Sequence, residues 1–108
     1  MTTTIEVPQG YERLAKVFQA ALNHAACGKG AERHGRDSRG RVLAFDDQPV
    51  VRITRVRGLG FPLGQSDKKT EEAALLLARG DRDMAVAELL GSLNYVACAA
   101  LAIMDGDA

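Results

Sequence analysis

Tryptophan is absent from the 108 residues, aromatic side chains make up only 5 %, and there are three prolines and two cysteines. A core without large rings has to be filled by aliphatic and small side chains, and the 46 % hydrophobic content suffices for one globular domain of this length. Cys27 and Cys98 lie far apart in Ala-rich surroundings, without metal-ligand spacing. That excludes a disulfide scaffold and a zinc finger, and both are expected to be small buried hydrophobes. No cationic start or apolar stretch of a secretory signal precedes Pro8, so a cytoplasmic location is expected. The longest uncharged run, Leu89 to Met104, falls short of the ~20 residues that span a bilayer and contains Gly91, Ser92 and Asn94, so no membrane partner is expected.

Net charge is also lacking: 14 Lys+Arg stand against 14 Asp+Glu. The balance is a sum of unlike parts, since residues 28–57 hold eight bases and four acids while residues 58–108 hold four bases and eight acids. The neutral total argues against a general nucleic-acid coat, and the segment totals point to a localised anion site instead.

Residues 1–8 read as an extended or disordered lead, 9–104 as a single helical domain and 105–108 as a tail. Apolar residues at Tyr11, Leu14, Ala15, Phe18, Ala21, Leu22, Ala25 and Ala26 recur at helical spacing, and Gly28 ends that run. Residues 28–47 are rich in Gly and Arg and read as a long loop anchored by Leu43 and Phe45. Asp46, Asp47 and Pro49 signal a helix start. The β-branched residues 50–57 also fit a strand, but without an evident partner strand beyond 41–45, helix is favoured. Gly58 to Gly64 read as a hinge or tight turn, and Ser66 or Asp67 as the cap of a helix through Lys68–Ala78. In that helix Ala74, Leu75, Leu77 and Ala78 are expected inward and Lys68, Lys69, Glu71 and Glu72 in water. Asp81 caps a last helix from Arg82 to about Met104 that is apolar on nearly every side, and a helix apolar all round must be buried all round. One chain of this size has little to wrap it with. The fold class expected is therefore mostly all-α, a small bundle of about four helices with a long Gly/Arg-rich loop, assembled as a homo-oligomer. The subunit interface is expected at Leu90, Gly91, Tyr95, Ala97 and Leu101, where small residues let helices approach.

The candidate ligand site is the run from Gly28 to Gly35. Glycine backbones approach an anion closely, Lys29 supplies a point charge and Arg33 a bidentate fork, a combination suited to phosphate. Its spacing is not that of a nucleoside-triphosphate phosphate loop, and no Ser or Thr follows the Lys. Lys29, Gly30, Arg33 and His34 are the expected ligand-binding residues there. Arg52 and Arg55 join them from the next element, with Phe61 from the Gly-rich segment. No catalytic residue, cofactor or metal is assigned. Arg36, Arg39 and Arg41 leave a second class of partner open, an acidic protein surface or a nucleic acid.

The run from Thr70 to Asp83, followed by Ala87 to Val96, resembles the helical hairpin of MazG-like all-α nucleotide pyrophosphohydrolases over about 35 residues. That family gathers carboxylates for magnesium from an E-x-x-E pattern on one helix and E-x-x-D on the next. Here Glu72 meets Leu75 or Glu71 meets Ala74, and Glu88 meets Gly91, so only two of four carboxylates are present. The resemblance implies the packing of the hairpin; a divergent pyrophosphohydrolase is the enzymatic alternative. In size, oligomerising helix and basic loop the chain also resembles the small nucleotide-sequestering proteins that phages use against host signalling nucleotides. The function expected is thus non-enzymatic binding of a phosphate-bearing small ligand, a nucleotide or cyclic nucleotide, in an anti-defence role.

Overall fold

The computed structural model describes residues 6–27 and 35–107. They form four helices: α1 (Glu12–Cys27), α2 (Pro49–Arg57), α3 (Gly60–Ala78) and α4 (Arg82–Met104), with a 3₁₀ turn at Phe45–Asp47 before α2. The described residues contain no strand beyond an isolated antiparallel bridge between Arg36 and Val42. The molecule is mostly helical, as the sequence implies.

Residues 50–57 are helical despite their β-branched side chains. Pro49 occupies the first helical position, where its missing N–H costs nothing, and the Thr54 hydroxyl donates back to the Val50 carbonyl at 2.7 Å. Of the hinge or tight turn expected from Gly58 to Gly64, only the turn at Gly58, at φ 84°, is found. α3 begins at Gly60 and continues through Gly64, so neither Ser66 nor Asp67 caps it. Pro62 is tolerated because it falls in the first turn, whose amides have no intrahelical acceptor. Starting α3 this early also sets its inward face. Pro62, Ser66 and Ala73 are buried and Lys69 is half-buried between them, a 4-3-4 spacing on one side of the helix. Ala74, Leu75, Leu77 and Ala78, expected inward, are exposed instead, Leu75 by 58 % and Leu77 by 51 %.

The junction between α3 and α4 is built from three residues. The Asp81 amide donates to Leu76 O and the Gly80 amide to Leu77 O, each at 3.0 Å, which closes α3. Gly80 turns the chain at φ 83°, a left-handed conformation that a Cβ disfavours. The Asp81 carboxylate then accepts from the Met84 amide at 3.2 Å and opens α4, as the sequence signals.

α4 is the central element, with α1, α2 and α3 all packed against it. Each neighbour is tied by a polar group. Ser92 and Ser66 pair their hydroxyls at 2.6 Å across α3, Asn94 donates to the Ala21 carbonyl of α1 at 3.0 Å, and Cys98 lies 3.4 Å from the Thr54 hydroxyl of α2. The apolar core is made of Ala21, Val51, Ala73, Ala85, Cys98, Ala99 and Ala102. Cys98 is the small buried hydrophobe expected; Cys27 is exposed, at the end of α1.

The chain does not bury α4 all round. Val86, Leu89, Val96, Ile103 and Met104 are 46 to 78 % exposed, and 28 % of the most apolar stretch of α4 is buried. With 23 residues and a mean hydropathy of 1.7 in that stretch, α4 is, by length and composition alone, long and apolar enough to cross a bilayer. It exceeds the uncharged run because Arg82, Asp83 and Glu88 belong to the same helix.

Gly91 faces α3, where a Cβ would lie 3.1 Å from Lys69 Cδ and 3.2 Å from its Cε. Filling that space separates α3 from α4. Gly91→Leu is expected to lower the thermal midpoint by about 5–15 °C, the range for an overpacked interior in a chain of this size. Circular dichroism melting checks it, at protein concentrations low enough to remove any effect of assembly.

Candidate functional site

A cavity of about 430 Å³ opens between the C-terminal half of α1, residues 35–48 and the C-terminal half of α4. Leu22, Ala25 and Ala26 line it from α1, Leu43, Phe45 and Val42 from the connecting segment, and Ala97 and Leu101 from α4. Arg36, Gln48 and Asn94 supply its polar groups. An apolar chamber of a few hundred Å³ with few polar groups is the ordinary form of a small-molecule site. The Asn94 amide group is committed to the Ala21 carbonyl, and Gln48, itself buried, reaches toward Leu43 O at 3.5 Å. Arg36 is exposed and donates from Nη1 to the Gly40 carbonyl at 2.8 Å, which ties its guanidinium to the turn that follows.

Asp37 organises the turn that carries Arg36. Its Oδ1 accepts from the amides of Arg39 and Arg41, each at 2.9 Å, and its Oδ2 takes the Arg41 Nε at 2.8 Å. The Asp37 and Gly40 amides complete the turn by donating to Arg41 O and Asp37 O. The Leu43 amide donates to the Gly35 carbonyl, so the segment returns on itself and buries Gly35. The part of the expected long loop that is described, residues 35–47, is thus an aspartate-centred turn leading into a 3₁₀ turn. This signal was present in the sequence as Asp37-Ser38-Arg39-Gly40, a composition that favours tight turns.

Lys29, Gly30, Arg33 and His34 lie outside the described residues. Ala26 and Gly35, close to either end of that basic segment, both line the cavity. Arg52, Arg55 and Phe61 are not brought there. Arg52 and Arg55 are exposed on α2, Arg55 Nε being 3.4 Å from Asp107 Oδ2, and Phe61 is half-buried in the first turn of α3. α2 presents Val51 and Thr54 to α4 and so turns its arginines outward. Of the expected interface residues, Gly91 is taken by the Lys69 stem, Leu90 and Tyr95 are half-buried, and Ala97 and Leu101 line the cavity. The cavity residues to which sequence reasoning gave no ligand role include Gln48 and the apolar Leu22, Ala25, Ala26 and Val42, the last four carrying no chemical signal of their own.

Glu88 Oε2 lies 3.4 Å from Lys69 Nζ, with both side chains four-fifths buried. An ammonium group therefore sits against the carboxylate that the MazG-like pattern would give to a metal, and Gly91 is the position that makes room for it. Glu72 is held by Lys68 at 3.7 Å on the outer side of α3. Among the described residues no three His, Cys, Asp or Glu side chains gather to hold a metal ion.

The Asp37 carboxyl is held below its ordinary value of 3.8. The Arg41 amide is the largest cause; desolvation, next in size, opposes it, and the Arg39 amide and the Arg41 guanidinium add to the lowering. A depressed folded-state pKa contributes stability that is present above the unfolded value and lost as pH falls through the folded one. The Arg39 and Arg41 amide resonances are therefore expected to move only below pH ~4, while Asp37→Asn removes that titration and speeds amide exchange across residues 37–41. Two-dimensional NMR across an acid titration checks both. Compared with protein-family models, curated proteins and solved structures, the chain has no match.

Proposed function

We propose that the chain is a non-catalytic, homo-oligomeric binding protein for a small phosphate-bearing ligand, a nucleotide or cyclic nucleotide. The observation that carries the reading is the apolar cavity with Arg36 at its edge, bounded by the two residues, Ala26 and Gly35, between which the Lys29–His34 segment runs in sequence. Such a site offers apolar walls to a base and cationic donors to a phosphate. The pairing of Glu88 with Lys69 gives no support to metal-assisted hydrolysis at the α3–α4 hairpin.

An acidic protein partner is the second reading. It is favoured by Arg39 and Arg41, which are exposed on a turn whose backbone Asp37 holds in place.

Thermal shift with ATP, GTP, cyclic AMP and cyclic di-GMP, together with native mass spectrometry of the untreated protein, tests the proposal. A bound nucleotide at 100 times its Kd adds about 2.7 kcal/mol and raises the melting midpoint visibly. Arg36→Glu and Arg33→Glu are each expected to weaken binding at least ~10-fold with unchanged helicity, the loss of one charge-assisted contact. No shift with any of the four, and no retained small molecule in several preparations, sinks the small-ligand reading in favour of a protein partner.

A further inference from the structure

Two carboxamides line the cavity, and both direct their nitrogen to the backbone. Gln48 precedes α2 and its Nε2 reaches Leu43 O at 3.5 Å, while Asn94 stands on α4 and its Nδ2 donates to Ala21 O at 3.0 Å. A carboxamide whose nitrogen is held on a carbonyl has its oxygen left over. No donor among the described residues reaches Gln48 Oε1 or Asn94 Oδ1. Turning either group round to offer its nitrogen instead gives up the bond to Leu43 O or Ala21 O.

Gln48 carries the stronger signal. It holds the N-cap position of α2, where a side-chain oxygen ordinarily accepts from a free helix amide, and it makes no such bond. Its backbone amide donates to Phe45 O and its carbonyl accepts from Val51 and Arg52, so the residue is held in place without its side chain. Gln48 is only 7 % exposed, and its oxygen is neither bonded nor sealed off, which leaves it open to the chamber that the residue lines. A buried amide oxygen without a donor is destabilising, and a ligand that donates to it removes that penalty on binding.

The chemistry of the donor follows from the rest of the lining. Leu22, Phe45, Ala97 and Leu101 give apolar walls, and none of the described lining residues is acidic. An ammonium group would meet Arg36 and no counter-charge, so the chamber suits a neutral N–H donor on a body with apolar faces. The exocyclic amino groups of adenine and cytosine are such donors. Hypoxanthine and uracil carry an oxygen at the same position and would set one acceptor against another.

We infer that the chamber selects nucleotides with an amino-substituted base, and that Gln48 Oε1, with Asn94 Oδ1 beside the same cavity, is the acceptor that reads the amino group. This rests on the proposed function, which assigns the phosphate to the cationic edge and leaves the base to the apolar chamber. The basic residues cannot make that choice, because AMP and IMP carry the same phosphate.

Isothermal titration calorimetry of the full chain with AMP, IMP, CMP and UMP is the test. In each pair that binds, AMP against IMP and CMP against UMP, the amino form is expected to bind at least ~10-fold more tightly, the effect of one hydrogen bond whose acceptor is otherwise left unpaired. Gln48→Met keeps the length of the side chain and removes the acceptor. It is expected to bring the amino form to within ~3-fold of the oxo form, with the oxo form little changed. A residue that only supported the fold would weaken both forms alike and leave their ratio where it was. Binding without preference for the amino form, or a Gln48→Met protein that keeps the original ratio, overturns the inference and leaves the proposed function in place. No binding of any nucleotide overturns both. The ratio on the unaltered protein decides the selectivity even where the variant is unstable.

Discussion

Ser66 and Ser92 meet at 2.6 Å across α3 and α4, and hydroxyls on short side chains meet only where the helices that carry them are close. Everything in the bundle follows that closeness. The buried apolar side chains are alanines, a valine, a proline and a cysteine, and Gly91 lets the Lys69 stem lie flat on α4 so that its ammonium reaches Glu88. Thr54 and Cys98 repeat the device at α2, and Asn94 at α1, where the donor is a side chain and the acceptor the helix backbone itself. Small groups pack tightly and pair their polar atoms. They bury little apolar area each, so the interior alone gives the chain a modest hydrophobic stabilisation.

The larger apolar side chains are therefore left outside. Tyr11, Leu14, Phe18 and Leu22 line one side of α1 and are about half exposed, as are Val86, Leu89, Val96 and Ile103 on α4. This distribution explains how 46 % hydrophobic composition coexists with a core that is built mostly of small residues among those described. A chain that invests its bulk in outward faces gains from whatever covers them. The cavity is the second consequence. Ala25, Ala26 and Ala97 leave space that larger residues would have closed, and the 35–48 segment spans it without filling it.

The helices were legible because their signals are local. Asp81 announced the start of α4, Pro49 the start of α2, and the spacing of apolar residues traced α1. What local signals do not carry is the rotation of each helix about its axis. Leu75 and Leu77 have the composition of core residues and are exposed, because the buried side of α3 is fixed by Pro62, Ser66 and Ala73, and those are chosen by what α4 offers opposite. Reading Gly60 and Gly64 as part of a hinge or tight turn failed for a related reason: glycine weakens a helix by only about 1 kcal/mol, which packing of Phe61 and Pro62 offsets. The cavity was less legible than the helices. The basic segment drew attention by its charge and lies outside the described residues, whereas the cavity is lined mostly by alanines and leucines, and its existence depends on how far α1 stands from α4.

Cavity and outward apolar side chains occupy neighbouring rows of one helix. Asn94, Ala97 and Leu101 face the cavity, and Leu93, Val96 and Ala100, each one residue earlier, are half-buried or exposed. Whatever covers that row would pass beside Ala97 and narrow the solvent boundary of the chamber, while a ligand seated against Ala97 and Leu101 would fix the side chains that flank it. Free-energy linkage makes any such coupling reciprocal: a ligand that favours the covered form must be bound more tightly by that form, by the same factor.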